Sequence, residues 1–128
     1  MSQASLLGPI GQIHITVDDL PRAVAFYRDV LSLPFLFEVP GQSMAFFDCH
    51  GIRLYLGKVE AGVQPSHSLL YFRVGDIAAA HAELERRGVR FEGAPHVIHR
   101  AGTTELWMAF FHDSEGTLLA LMSERQTG

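Results

Sequence analysis

The sequence predicts an α+β fold built from two βαβββ modules, each a four-stranded mixed sheet with one helix, paired around a concave cleft. The main observation is an internal repeat, since Met44–Phe47 reappears as Met108–Phe111. Each copy is followed by a glycine and a second apolar strand, and each is preceded, at a similar distance, by a strand and a helix. A unit that occurs twice in one order indicates a duplication. The cleft between the two copies is then the first place to look for a function.

The first module is expected over residues 10–58, after a loose N-terminus at residues 1–9. Apolar residues alternate in 10–17, which predicts a half-buried strand with His14 and Thr16 on its polar side. Asp19 and Pro21 are typical of a helix start, and apolar spacing predicts a helix to about residue 32. Three further strands are predicted at residues 35–39, 44–48 and 52–57.

The second module is expected over residues 68–123, after a polar linker at residues 59–67. A strand at 68–74 is followed by Asp76 as a helix cap and by a helix that Gly88 ends. Residues 89–91 open the next strand region, and strands follow near 96–99, 105–111 and 117–122. Neither sheet can bury both of its faces alone, so we expect the two modules to form one domain.

Composition excludes several classes of function. The chain has 128 residues, 48% of them hydrophobic, and a formal net charge of −4. Its basic residues are scattered, which argues against a nucleic-acid partner. Cys49 is the only cysteine, so no intrachain disulfide can form, and this favours a cytoplasmic location. We expect no signal peptide and no membrane span, because no apolar run is long enough.

Three segments resemble the vicinal oxygen chelate superfamily, also called the glyoxalase/bleomycin-resistance/dioxygenase family. They are Ile13–Leu20, the helix segment Ala23–Leu33, and the ending Phe110–Leu121 with its acidic turn and glycine. The resemblance covers residues 10–122 and implies the duplicated fold. It leaves the activity open, because the scaffold hosts isomerases, lyases, dioxygenases, thiol transferases and non-catalytic drug binders.

The resemblance also implies where a metal would bind. The family draws ligands from the first and last strand of each half, which correspond here to His14, Tyr55, Tyr71 and Ala120. A catalytic divalent ion needs about three protein donors. Alanine has no donor, and a phenol with a pKa near ~10 is a poor ligand at neutral pH. The expectation is therefore a protein with no metal cofactor.

His14, Tyr71 and Arg73 are the candidate catalytic residues. An imidazole near neutrality suits a general base or a residual metal ligand, although a cavity histidine that only hydrogen-bonds to a neighbour is the simpler interpretation. Tyr71 and Arg73 share one face of their strand and together could hold a carboxylate or enolate oxygen. The alternative for Arg73 is an ion pair with Asp76 or Glu38.

A rearranged metal site of His14, His96 and Glu105 is the alternative to a metal-free cleft. His96 and His99 are an odd number of residues apart, so they point to opposite faces unless a bulge intervenes. Aromatic side chains would supply most of the affinity of a metal-free site, with Trp107 as a lid or stacking partner. The residues expected to line the ligand site are Thr16, Phe37, Phe46, Tyr55, His96, Glu105, Trp107 and Ala120.

Three functions compete at this point. The first is a bleomycin-resistance-type protein, a homodimer that binds a small aromatic or amphipathic molecule in a largely metal-free cleft. The second is a metal-dependent lyase, isomerase or dioxygenase of the glyoxalase type that uses His14 and a rearranged ligand set with a divalent metal ion. The third is a metal-free enzyme with His14 as general base, in which Arg73 or Tyr71 steadies a developing oxyanion.

Overall fold

The computed structural model describes residues 6, 9–58 and 68–127, and the chain divides into two compact units, Met1–Gln64 and Pro65–Gly128. Each unit contains a four-stranded mixed sheet and one helix, which confirms the predicted α+β class. The predicted linker at 59–67 and most of the predicted loose N-terminus lie outside the described residues. The pairing of the modules around a cleft, and their union into one domain, stay predictions.

The first unit has the strand order β1-β4-β3-β2, in which β1 and β4 are parallel and the other pairs are antiparallel. The helix therefore connects the edge strand β1 to the opposite edge strand β2. The elements are β1 (Gln12–Thr16), α1 (Leu20–Ala25), a π-helical turn (Phe26–Val30), β2 (Phe35–Val39), β3 (Met44–Cys49) and β4 (Ile52–Gly57).

The first helix begins where the sequence predicts. The Asp19 carboxylate accepts a hydrogen bond from the Arg22 backbone N–H at 3.1 Å, which caps the helix. The last part differs from a regular α-helix, because the Leu31 N–H donates to the Phe26 carbonyl five residues back at 3.0 Å. Ser32 then adopts a positive φ of 62°, which ends the helical path ahead of Pro34.

The second unit repeats this arrangement with the strand order β5-β8-β7-β6, and β5 and β8 are its parallel pair. The Asp76 carboxylate caps its helix by accepting from the Ala79 N–H at 3.0 Å. The elements are β5 (Leu70–Arg73), α2 (Ile77–Arg86), β6 (His96–Ala101), β7 (Thr104–His112) and β8 (Leu118–Gln126).

Two sequence expectations need correction in this unit. Residues 89–91 form no strand, and only Phe91 makes an isolated bridge, to Phe111. The last strand runs to Gln126 rather than to 122, because β7 is long enough to pair with it from His112 back to Thr104.

Both helices cover the same kind of sheet face. In the first unit Phe47 pairs with Leu54 and Ala45 pairs with Leu56. The second unit places an identical set of residue types in identical register, with phenylalanine opposite leucine and alanine opposite leucine. All are nearly inaccessible to solvent, so these two faces form the cores of the units. The set in the second unit is Ala109, Phe111, Leu119 and Leu121.

No helix in the described ranges is long and apolar enough to cross a membrane.

The turn that closes the second unit is held by a histidine with an acceptor on each ring nitrogen. His112 Nε2 lies 2.7 Å from a Glu92 carboxylate oxygen, and Nδ1 lies 3.2 Å from the Gly116 carbonyl. Both nitrogens can donate only in the imidazolium form. The hydrogen bond to Glu92 and then that to Gly116 raise the pKa of His112 above its ordinary value.

We predict that the His112–Glu92 pair stabilises the fold mainly in acid. Because the folded pKa is raised, the contribution is complete below the unfolded pKa of about 6.5 and is lost as pH rises through the folded value. The variant His112→Gln should therefore lower the melting temperature more at about pH 5.5 than at about pH 9. His99→Gln is the control, since His99 is exposed and its ring makes no hydrogen bond or ion pair within the described part of the chain. An equal loss at both pH values for His112→Gln would contradict the prediction.

Candidate functional site

A continuous row of stacked rings crosses the open face of the first unit. His14 stacks on Tyr55 with ring centroids 4.1 Å apart and an interplanar angle of 10°. Tyr55 stacks on Phe46 at 4.9 Å and 14°, and Phe46 stacks on Phe37 at 4.7 Å and 26°. We call these four residues the aromatic ladder. One ring comes from each of the four strands, so the ladder spans the whole sheet.

Strand register explains why the ladder forms. His14 is the register partner of Tyr55, Tyr55 is that of Phe46, and Phe46 is that of Phe37. Neighbouring strands lie about 4.8 Å apart, which is close to the separation of stacked rings. The rings therefore stand side by side on the face that the helix leaves open. The core neighbour Phe47 points to the other face, toward Tyr27 of the π-helical turn.

The exposed His14 ring is held at one end of the ladder. Its Nε2 lies 3.4 Å from the Gly57 carbonyl oxygen, at the long limit of a hydrogen bond. This contact is favourable when Nε2 carries the proton and donates it. In that tautomer Nε2 has no lone pair for a metal ion.

Gly57 makes room for the Tyr55 ring. A β-carbon at position 57 would lie 2.6 Å from Tyr55 Cε1 and 2.7 Å from its hydroxyl oxygen. The ring can therefore fold along its own strand only because position 57 lacks a side chain. Thr16 is the register partner of Gly57 and shares the open face with His14.

Arg53 is part of this face, and the sequence analysis missed it. Its guanidinium carbon lies 5.6 Å from the Phe46 ring centroid and 6.0 Å from that of Phe37, within the range of a cation–π contact. Arg53 is two residues before Tyr55 in β4 and so shares its face. The same two-residue spacing relates Tyr71 and Arg73 in the second unit, so Arg53 could have been found from the sequence.

The open face of the second unit is built differently. Tyr71 and Ala120 are register partners, and Phe110 is the next partner across the sheet. The Tyr71 and Phe110 rings meet edge to face with centroids 6.5 Å apart, although their strands are separated by β8. Ala120 is completely buried between them, whereas Tyr71 is 46% exposed. Ala120 thus occupies the position in the second unit that Tyr55 occupies in the first.

Arg73 has a different ion-pair partner from the two that the sequence suggested. Its Nη1 donates to a Glu124 carboxylate oxygen at 2.9 Å across the exposed surface. Asp76 instead caps α2, and Glu38 lies in the first unit. Arg73 therefore forms an ion pair, as the alternative interpretation expected, but its partner is Glu124 of β8.

A bulge changes the orientation expected for two histidines. In β6 the register shifts between Val97 and His99, so Ile98 is an extra residue. His96 pairs with Met108 and His99 pairs with Leu106, two residues apart on β7. These register positions place both histidines on one face of β6, which corrects the expectation of opposite faces.

Glu105 and Trp107 lie on the other face of β7, which carries Ala109 and Phe111. The Trp107 indole N–H donates to Glu105 at 3.1 Å, and Arg100 donates to the same carboxylate at 2.9 Å. Arg100 and then Trp107 lower the pKa of Glu105 below its usual value. Arg125 stacks over the indole at 4.5 Å. Trp107 therefore belongs to a separate surface cluster within its unit, away from Tyr71 and Phe110.

The residues present do not suit the metal that the family resemblance implies. Of the four positions, His14 offers one imidazole, whereas its partner Tyr55 is stacked in the ladder and Ala120 has no donor atom. The rearranged set also fails in its geometry, because His96 and Glu105 occupy opposite faces of the second sheet. No group of three or more histidine, cysteine, aspartate or glutamate residues in the described ranges is placed to hold an ion.

Two repeated βαβββ units, with cores of matching residue types and aromatic side chains on their open faces, define a duplicated α+β scaffold. Residues 9–121 match the model of the Glyoxalase/Bleomycin resistance protein/Dioxygenase superfamily. The chain belongs to this superfamily, as the sequence motifs indicate.

Individual relatives agree with this assignment. The chain is 30% identical to YraH, an uncharacterized protein of Bacillus subtilis (strain 168), over 98 residues that cover 66% of this chain and 77% of YraH. Its fold is similar to TnmS3, an antibiotic binding protein from Streptomyces sp. CB03234, with a TM-score of 0.75, 20% identity and coverage of 95% and 100%. It is also similar to a lactoylglutathione lyase from Agrobacterium tumefaciens, with a TM-score of 0.73, 22% identity and coverage of 93% and 96%.

We predict that Gly57→Ala disrupts the ladder. The new β-carbon would collide with the Tyr55 ring, and overpacking of this kind costs about 1–3 kcal/mol of unfolding free energy. Gly93→Ala is the matched control, since nothing lies within 4 Å of its β-carbon position and its φ is not positive. Denaturant unfolding of both variants checks this, and equal stability would contradict the role given to Gly57.

Proposed function

We propose that this protein binds a small aromatic or amphipathic molecule without the help of a metal ion, as a binding protein of the bleomycin-resistance type. The observation that supports the proposal most directly is the aromatic ladder. Stacked rings on an open sheet face provide apolar contact area with fixed geometry, which is the main source of affinity in a site of this kind. The similar fold of an antibiotic binding protein supports the proposal.

The Phe37 end of the ladder is the proposed contact point for a ligand ring. Phe37 is 43% exposed, whereas Phe46 and Tyr55 are 7% and 5% exposed. A ligand ring therefore gains most by covering Phe37, because that residue still has apolar surface to remove from water. The buried Phe46 ring stacks directly on Phe37, and Tyr55 in turn stacks on Phe46.

The proposal keeps only part of what the sequence predicts. We include a homodimer, a cytoplasmic location and no metal cofactor in it. His14, Thr16 and Tyr55 are proposed as lining residues in the first unit, and Tyr71 in the second. A metal-free enzyme with His14 as general base needs the same lining, so turnover of a bound compound would separate it from a binding protein.

We predict that a flat aromatic probe stabilises the protein and that Phe37 is required. At about ten times its Kd, 2-naphthol should raise the melting temperature by about 5 °C, while the saturated analogue decahydro-2-naphthol should not. Phe37→Leu should abolish the shift.

Phe35→Leu is the matched control for this experiment. Phe35 lies on the same strand and is 36% exposed, but it packs on Phe47 of the core face. A shift that disappears in Phe35→Leu and persists in Phe37→Leu would reject the ladder as the site. Melting temperature is preferable to tryptophan fluorescence, because Trp107 lies in a different unit from the ladder.

We predict that protein purified without chelator contains much less than one equivalent of nickel, zinc, manganese or iron. The donor set around His14 lacks the three ligands that a catalytic ion needs. Elemental analysis of wild type and His14→Ala is the test. A stoichiometric metal content that disappears in His14→Ala would instead favour the lyase, isomerase or dioxygenase alternative.

A further inference from the structure

Arg53 has an unusual environment for a surface arginine. Its guanidinium carbon lies beside two rings of the ladder, at 5.6 Å from Phe46 and 6.0 Å from Phe37. The residue is exposed, and its guanidinium has no hydrogen bond or ion pair within the described part of the chain. Three other exposed arginines, Arg28, Arg73 and Arg100, each lie 2.9 Å from a carboxylate oxygen.

The acidic residue nearest to Arg53 along the sheet has another role. Asp48 is the register partner of Arg53 on β3. Its carboxylate accepts a hydrogen bond from the Gly51 N–H at 3.1 Å and so closes the turn between β3 and β4. Gln12, the register partner on the other side, is uncharged. Among the described residues, therefore, neither register partner forms an ion pair with Arg53.

The chemistry of a guanidinium indicates what would complete this arrangement. The group is planar and presents N–H donors in a fork that matches the two oxygens of a carboxylate. Contact with aromatic rings restrains the side chain while leaving donors available at its edge. An aromatic surface next to an available fork complements a molecule that carries a flat apolar part and an anionic part.

We propose that the ligand of the first unit is a planar aromatic carboxylate. Its ring contacts Phe37, the end of the ladder that lies beside Arg53, and its carboxylate oxygens accept hydrogen bonds from the Arg53 guanidinium. This inference rests on the proposed function, since it specifies the chemical class of ligand for the same ladder. It assigns to Arg53 the role of holding an anion that the sequence suggested for Arg73. Arg73 is instead paired with Glu124.

The test compares two probes that differ in charge and not in shape. Binding of 2-naphthoate and of its neutral analogue 2-naphthamide is measured by calorimetry at low ionic strength on wild type, Arg53→Gln and Arg125→Gln. The wild type should bind 2-naphthoate about tenfold more tightly than 2-naphthamide, the effect expected of a charge-assisted hydrogen bond. Arg53→Gln should remove this preference while keeping the affinity for 2-naphthamide.

Arg125→Gln is the matched control, because Arg125 also lies over a ring but belongs to the Trp107 cluster. It should keep the preference for the anion. If the preference is absent in wild type, survives in Arg53→Gln, or is lost in Arg125→Gln, the role of Arg53 is overturned while aromatic binding stands. If neither probe binds wild type at millimolar concentration, both this inference and the proposed function fail.

Discussion

Parallel pairing between the first and last strand of each unit is the constraint on which the rest of the structure depends. A parallel pair cannot be joined by a tight turn, so the chain must cross over, and here a helix covers one face of the sheet on the way. The other face stays open. In the first unit this pairing sets His14 beside Tyr55, and in the second it sets Tyr71 beside Ala120. Every feature of the candidate site follows from what occupies these register positions.

The two units are alike on their helix-covered faces and differ on their open faces. Their helix-covered faces carry the same residue types in the same register, because a close-packed core tolerates few changes of volume. Their open faces have a tyrosine at one central position and an alanine at the other. The result is a row of stacked rings in the first unit. In the second unit two rings meet edge to face across the methyl group of Ala120. The two units therefore differ most on the faces that core packing constrains least.

Much of this could be predicted from the sequence, because it depends on short-range patterns. The alternation of side chains along β1, β3 and β4 brings together His14, Phe46 and Tyr55, and Asp19 and Asp76 mark both helix starts. The face that Phe37 occupies depends instead on a bulge in β2 between Phe35 and Phe37. Bulges are harder to predict, since the extra residue Ile98 has no sequence signature and reverses the alternation that follows it. The contact of His112 with Glu92 is also beyond such patterns, because Glu92 lies in an irregular connection. The orientation of Trp107 could be predicted from the sequence. Trp107 and Phe110 are three residues apart on one regular strand, so their side chains lie on opposite faces.

The ladder and a metal centre make incompatible demands on the same positions. A chelating site needs an available imidazole lone pair and a carboxylate at the partner position, both directed at a point above the sheet. Tyr55 instead offers a flat ring, and the His14 imidazole lies against it at 4.1 Å with Nε2 toward the Gly57 carbonyl. Stacking keeps the imidazole upright beside its neighbour, where it extends the apolar row. The aromatic ring at this register position therefore offers no strong ion ligand and instead joins His14 to Phe46 in one continuous row of rings.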